Sequence, residues 1–169
     1  MKRLINNFNA LTSFSHDETQ QLGRHIGKLA TSGDIFLLVG NLGVGKTCLT
    51  QGIAWGLGIK EYTLSPSFIL IRELHGQLPL YHIDLYRLEQ MEEIADLGLD
   101  DYLYGNGVCV IEWAEKGLSL LPPEHLLIEI SYLDNTKRHF QLKPSGQRYL
   151  EMVNQLKSLT STNQKGRSS

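Results

Sequence analysis

The stretch from Asp34 to Gly58 constrains this chain more than any other. It reads DIFLLVGNLGVGKTCLTQGIAWGLG, and within it Gly40, Gly45, Lys46 and Thr47 satisfy G-x-x-x-x-G-K-[ST]. Glycines at those positions let the backbone curl until successive N–H groups point inward at phosphate oxygens. The lysine then reaches the terminal phosphates, and the threonine hydroxyl takes a place on Mg²⁺. The flanks supply the context that the motif needs. Asp34 to Val39 is a short apolar run that reads as a buried parallel strand. From Lys46 onward, Leu49, Ile53 and Leu57 recur at four-residue spacing, and Gly58 stands where a helix C-terminal cap belongs. Strand, loop and helix therefore follow in the order of a phosphate cradle. Gly43, Val44, Gly45, Lys46 and Thr47 are its candidate contacts, and Cys48 follows directly, placed for its backbone to face the nucleotide.

Around that unit the α/β pattern continues. Ser15-His16-Asp17-Glu18 matches the S-x-x-E capping box, and Leu22, Ile26, Leu29 and Ala30 form an apolar helical face behind it, so a helix precedes the loop strand. Ser65-Pro66-Ser67 breaks the chain, because proline turns the residue before it away from helix. FILIREL (68–74) and LPLYHIDL (78–85), joined by His75-Gly76-Gln77, read as a hairpin. LEQMEEIADL (88–97) reads as a third helix with Leu88, Met91 and Ala95 at helical spacing, and VCVIEW (108–113) as a short buried strand. LLIEISYL and RHFQLK, joined through Asp134-Asn135-Thr136, read as a closing antiparallel pair. Residues 146–159 read as a last helix with Leu150, Val153, Leu156 and Leu159 on one face, and STNQKGRSS is expected to be disordered. The expected fold is a P-loop NTPase-like three-layer sandwich whose mostly parallel central sheet carries antiparallel additions. It forms a single domain over residues 1–160 with a tail at 161–169.

In an open α/β sheet, ligands sit beyond the carboxyl ends of the parallel strands, so an acid at such an end reaches a phosphate-bound cation. Two acids qualify. Asp84 ends LPLYHI and Glu112 ends VCVI, and the sequence leaves open which of them holds Mg²⁺ and which positions the attacking water. His82 shares the strand face of Asp84 and either orients that aspartate or simply packs. Ser67 either offers its hydroxyl to the γ-phosphate or only closes a Ser-Pro-Ser turn. The guanine-reading NKxD pattern and the D-x-x-G switch are both absent from the sequence, so ATP is the expected nucleotide. A net charge of −2 gives no general pull toward nucleic acid or anionic membrane, and any RNA contact is expected through a partner. No apolar run approaches 18 residues and the start lacks a secretory apolar segment, so a cytoplasmic protein is expected. Cys48 and Cys109 lie inside apolar elements and read as buried free thiols.

GNLGVGKT at 40–47, SPSF at 65–68, HIDLYRL at 82–88, Glu92-Glu93 leading into LGL at 97–99, and IEWAEKG at 111–117 stand in one order along the chain. In that order they resemble the bacterial TsaE (YjeE) family, over residues 15 to 140. The resemblance implies a small P-loop ATPase required for threonylcarbamoyladenosine formation in tRNA. It implies a protein partner, the TsaB–TsaD complex, which transfers the threonylcarbamoyl group to adenosine 37 of tRNAs that read ANN codons, while the ATPase itself does not perform that transfer. It also implies Thr47 and Glu112 as Mg²⁺ ligands, Lys46 as the phosphate-reaching base, Asp84 as a catalytic or switch acid and Ser67 as the switch hydroxyl. Trp113 would lie close to the nucleotide, with Glu115 and Arg138 as further nucleotide contacts. The sequence departs from the family pattern at Asn41, where the loop usually begins Gly-Asp, at SPSF for SPTF, and at Ala114 for a proline. Two other readings keep the same loop. A small-molecule P-loop kinase would add an acceptor pocket and an arginine-bearing lid, but Arg3, Arg24, Arg72, Arg87, Arg138, Arg148 and Arg167 are scattered. A nucleotide-gated adaptor with negligible hydrolysis shares every motif with the ATPase.

Overall fold

The computed structural model describes residues 9–63 and 70–165. In chain order the elements are β1 (Ala10–Ser13), α1 (His16–Leu29), β2 (Ile35–Val39), α2 (Lys46–Gly56), β3 (Ile71–His75), β4 (Pro79–Asp84), α3 (Met91–Ala95) and α4 (Asp100–Leu103). They continue as β5 (Val108–Glu112), two 3₁₀ turns (Ala114–Lys116 and Leu118–Leu120), β6 (His125–Tyr132), β7 (Arg138–Ser145) and α5 (Gln147–Lys165). Among the described residues the strands form one seven-stranded sheet in the order β1-β7-β6-β2-β5-β4-β3. The four inner strands β6, β2, β5 and β4 run parallel, and the pairings outside them are antiparallel. This is the mixed sheet that the alternation of strand and helix patterns implies.

The period-two alternation of β2 sorts its side chains to opposite faces. Phe36 and Leu38 enter a core that α1, α2 and α5 cover, with Leu49, Ile53, Phe140, Met152 and Leu156. Ile35 and Leu37 enter a smaller core with Ile83, Ile111, Ile94, Leu99 and Leu103, covered by α3, α4 and the turns after β5. Three layers result, and β2 is buried on both faces, which is why it reads as a continuous apolar run. The start of α5, beside the start of β2, is pinned by polar groups. Arg148 donates to Asp34 and to the Leu29 carbonyl, and the Ile35 N–H donates to the Tyr149 hydroxyl at 2.9 Å.

Helices α1 and α2 approach through glycines that face each other in pairs. A Cβ on Gly23 or Gly27 would collide with the carbonyl oxygens of Leu49 or Ile53, and one on Gly52 or Gly56 with those of Gln20 or Arg24. The close contact holds the loop helix against the rest of the layer. Gly52→Ala is expected to force the helices apart and lower the unfolding free energy by about 1–3 kcal/mol, read from the urea midpoint; an unchanged midpoint would show that the contact yields freely.

Several elements differ from their sequence reading. β1 has no counterpart there, because a four-residue edge strand is too short to show a period and its partner β7 is far along the chain. The third helix is shorter than 88–97 and turns another face inward. Its start is set by a capping box between Gln90 and Glu93, Ile94 is buried, and Met91 and Ala95 are exposed. Gly98, in the left-handed region at φ +67°, then separates it from α4. β3 begins at Ile71, just after Leu70 at φ +68°. In α5 the buried face is Tyr149, Met152, Val153 and Leu156, while Leu150 and Leu159 are exposed. The helix continues past 159 to Lys165, since no glycine or proline interrupts it before Gly166.

Candidate functional site

The loop between β2 and α2 has the backbone its glycines permit. Gly43 and Gly45 sit at φ +78° and +116°, where a side chain would be strained. Gly45 is the N-cap of α2; it offers no side-chain cap, and the first turn of the helix holds no acid. The first N–H groups and the positive end of the helix dipole are thereby presented to an anion. Neighbours brace the loop from behind. The Val44 N–H donates to the Asn41 carbonyl at 3.1 Å, Arg138 Nε donates to the Val44 carbonyl at 2.8 Å, and the Tyr132 hydroxyl donates to the Leu42 carbonyl at 3.3 Å. Asn41, where the sequence departs from the family pattern, contributes through its main chain.

Lys46 is buried, with Nζ donating to the carbonyls of Gly40 at 2.5 Å and Asn41 at 2.9 Å and standing 4.2 Å from the centre of the Trp113 ring. Burial lowers its pKa, and the carboxylates of Glu112, Glu115 and Asp84 oppose that shift. The strand register explains why acids surround it. Asp84 and Glu112 are paired residues at the ends of the adjacent parallel strands β4 and β5, and Glu112 is likewise paired with Leu38 at the end of β2. Three strands thus finish together under the loop. The Thr47 hydroxyl donates to Glu112 Oε1 at 3.0 Å, and Asp84 Oδ1 accepts from the Tyr86 N–H at 2.9 Å. His82 reaches the other oxygen of Glu112, with Nε2 2.5 Å from Oε2. From the sequence this ring either orients Asp84 or simply packs; the sheet order, which sets β4 beside β5, places it against Glu112 instead.

Trp113 follows Glu112 in the left-handed region at φ +57°, a turn that carries its ring over Lys46 and against Tyr86, 4.9 Å between ring centres. Lys116 holds the segment after Asp84 to this turn by donating to the carbonyls of Tyr86 and Leu88. A cleft of about 760 Å³ opens above the loop, a size that suits a small molecule. Gly43, Val44, Gly45, Lys46, Thr47, Cys48, Asp84, Glu112, Trp113 and Arg138 all line it. Glu115 is exposed on the 3₁₀ turn beside the cleft, close enough to act on Lys46 but outside the lining. Ser67 lies outside the described residues. Burial pushes the Cys48 thiol up to about 11, so this wall is a neutral thiol, and Cys109 is likewise free and raised to about 12.

Residues 13–140 match the family model described as "Threonylcarbamoyl adenosine biosynthesis protein TsaE". The chain belongs to the TsaE family. Among its relatives, the tRNA threonylcarbamoyladenosine biosynthesis protein TsaE of Treponema pallidum is 43% identical over 126 residues, covering 75% of this chain and 93% of that protein. The protein of the same name from Bacillus subtilis is 42% identical over 141 residues, covering 83% of this chain and 88% of that one. The crystal structure of Bacillus subtilis YdiB superposes with a TM-score of 0.78 at 35% identity, covering 89% of this chain and 95% of that one. The TsaE match begins at Ser13 and so takes in a part of the cleft that sequence reasoning missed. Phe14, Ser15, His16 and Thr19, from the β1–α1 junction, line it together with Asn135 and Thr136 from the β6–β7 turn. The capping box marked Ser15 as a helix start, and the Asp134-Asn135-Thr136 turn was visible, yet nothing local placed either beside the loop. Tyr86 and Arg87, inside the HIDLYRL stretch of the TsaE resemblance, also line the cleft. Among the described residues no helix is long and apolar enough to cross a membrane.

Proposed function

We propose that this TsaE-family chain binds ATP with Mg²⁺ and hydrolyses it, as the ATPase that supports the TsaB–TsaD complex in tRNA threonylcarbamoyladenosine formation. The observation that carries the reading is the Thr47–Glu112 hydrogen bond of 3.0 Å, formed beside a buried Lys46 at an uncapped helix start. The Thr47 hydroxyl and the Glu112 carboxylate, already joined at the edge of a phosphate cradle, are the two protein donors that would hold Mg²⁺, with nucleotide oxygens and water as its other ligands. The donor set fits this division. Among the described residues no three His, Cys, Asp or Glu side chains gather into an all-protein metal centre, and none is needed where phosphates supply the other ligands. The cation would supply charge neutralisation on the β- and γ-phosphates.

The protein's own part is positioning. N–H groups from Gly43 to Cys48 bind phosphate oxygens, and Lys46 leaves the Gly40 and Asn41 carbonyls to meet the terminal phosphates. Glu112 keeps its carboxylate toward Thr47. Asp84, aligned with Glu112 at the next strand end, accepts a proton from the attacking water. Trp113 and Tyr86 wall the site and restrict solvent. Contact with tRNA runs mainly through the partner complex, consistent with a net charge of −2.

A nucleotide cycle serves a partner only if the ATP and ADP states differ in affinity for it. The segment after Asp84 responds to the nucleotide state, since its Tyr86 N–H is bonded to that carboxylate. ATP is expected to strengthen docking on TsaB–TsaD by 5- to 150-fold over ADP, a coupling of about 1–3 kcal/mol. A binding titration with ADP and with a non-hydrolysable ATP analogue measures it, alongside phosphate release with and without the purified complex. Equal affinities would remove the switch. Docking strengthened by ATP with no hydrolysis in either condition would establish a nucleotide-gated adaptor, and a phosphorylated small-molecule product would establish a kinase.

A further inference from the structure

His82 is 0% exposed, on the face of β4 that meets the larger core, between Leu80 and Asp84. A ring so placed loses its water, and only one of its nitrogens recovers a partner. Nε2 lies 2.5 Å from Glu112 Oε2, while Nδ1 makes no hydrogen bond among the described residues. Packing alone would favour an aliphatic side chain here, since a buried polar atom without a partner costs stability. What the imidazole adds is a donor aimed at one carboxylate oxygen. The two oxygens of Glu112 are thereby given different tasks, because Oε1 accepts from Thr47 on the cleft side and Oε2 accepts from His82 beneath.

The geometry points to His82 as the positioning residue of Glu112: it fixes the carboxylate so that Oε1 faces the cation site beside Thr47, an inference that rests on the magnesium role of Glu112 proposed above. Without the ring, the carboxylate is free to rotate about its last bond, and Oε2 is left buried with no donor. Groups that orient a ligating side chain from behind typically govern metal affinity by 10- to 100-fold. The position is specific to the β4–β5 register, in which His82 is paired with Val110 and so stands one diagonal step from Glu112.

The test measures the Mg²⁺ concentration that half-saturates the tightening of a non-hydrolysable ATP analogue, by calorimetry on the full chain, together with the affinity in EDTA. His82→Leu keeps the bulk and removes the donor; His82→Gln restores an N–H at about the reach of Nε2. The expected result is an at least tenfold higher Mg²⁺ requirement for His82→Leu, an unchanged affinity in EDTA, and recovery toward wild type in His82→Gln. An unchanged Mg²⁺ requirement in His82→Leu, while the wild-type protein depends on Mg²⁺, would overturn the positioning role and leave the magnesium role of Glu112 standing. Nucleotide binding that ignores Mg²⁺ in the wild-type protein would overturn both. Should His82→Leu not fold, nitrogen NMR of the histidine-labelled wild-type protein decides: adding Mg²⁺ to the nucleotide complex should shift the His82 Nε2–H signal, and a signal that stays put overturns the inference.

Discussion

Lys46→Ala is expected to reduce ATP hydrolysis by roughly a hundredfold or more, because a preorganised charge aimed at a transferring phosphoryl group is among the largest single contributions to such catalysis. The ammonium is already beside the cradle, held by the carbonyls of Gly40 and Asn41 and by the Trp113 ring. Those contacts are weak competitors for a triphosphate, since two neutral carbonyls and a ring face give way to several anionic oxygens. Burial lowers the pKa of the lysine, and the surrounding carboxylates of Glu112, Glu115 and Asp84 oppose that shift. Removing the amine leaves those acids facing the phosphates unopposed, so the loss should appear in nucleotide affinity as well as in turnover. Steady-state phosphate release and a nucleotide titration separate the two, with thermal unfolding to establish that the variant folds. Wild-type hydrolysis in a folded Lys46→Ala protein would remove Lys46 from the chemistry.

How much of this was legible in the sequence depends on the range over which each feature is determined. The parallel core was legible because β2 and β5 are buried runs with apolar side chains almost without interruption, and β4 and β5 end on Asp84 and Glu112. The loop was legible because its glycines and Lys46 interact within six residues of one another. Features set by strand order were not. His82 and Glu112 are 30 residues apart and meet only because β4 and β5 are neighbours, and Phe14 reaches the cleft because β1 pairs with β7. The third helix is misleading for a different reason: its apolar residues Leu88, Met91, Ile94, Ala95 and Leu97 allow more than one helical face, and the capping box at Gln90 and Glu93 and the burial of Ile94 decide where it starts and which face turns inward. The last helix shows the same effect, since Tyr149 and Met152 give a face as regular as Leu150 and Leu159, and only the packing against β7 and α1 selects between them.

Asp84→Asn and Glu112→Gln are expected to fail in different ways, although the two acids are paired across adjacent strands and both are buried. Glu112 is bonded to Thr47 and to His82, which on the proposed reading turns its carboxylate to the cation side of the cradle. Asp84 is bonded to the Tyr86 N–H at the start of the segment that walls the cleft, and on the proposed reading its carboxylate takes a proton from water there. General base catalysis by a positioned carboxylate contributes about a hundred- to ten-thousandfold. Asp84→Asn should therefore lower the rate constant for hydrolysis by that order while leaving the dissociation constant of a non-hydrolysable analogue largely unchanged. Glu112→Gln keeps the hydrogen bond from Thr47 but removes the charge, so it should raise the Mg²⁺ needed for tight binding, with turnover recovering as Mg²⁺ is increased. Titrations of both variants over a range of Mg²⁺, paired with single-turnover hydrolysis, distinguish the two assignments. If Asp84→Asn shows the Mg²⁺ dependence and Glu112→Gln the loss of turnover that no Mg²⁺ restores, the roles are exchanged. The support of His82 would then belong to the catalytic base rather than to the cation.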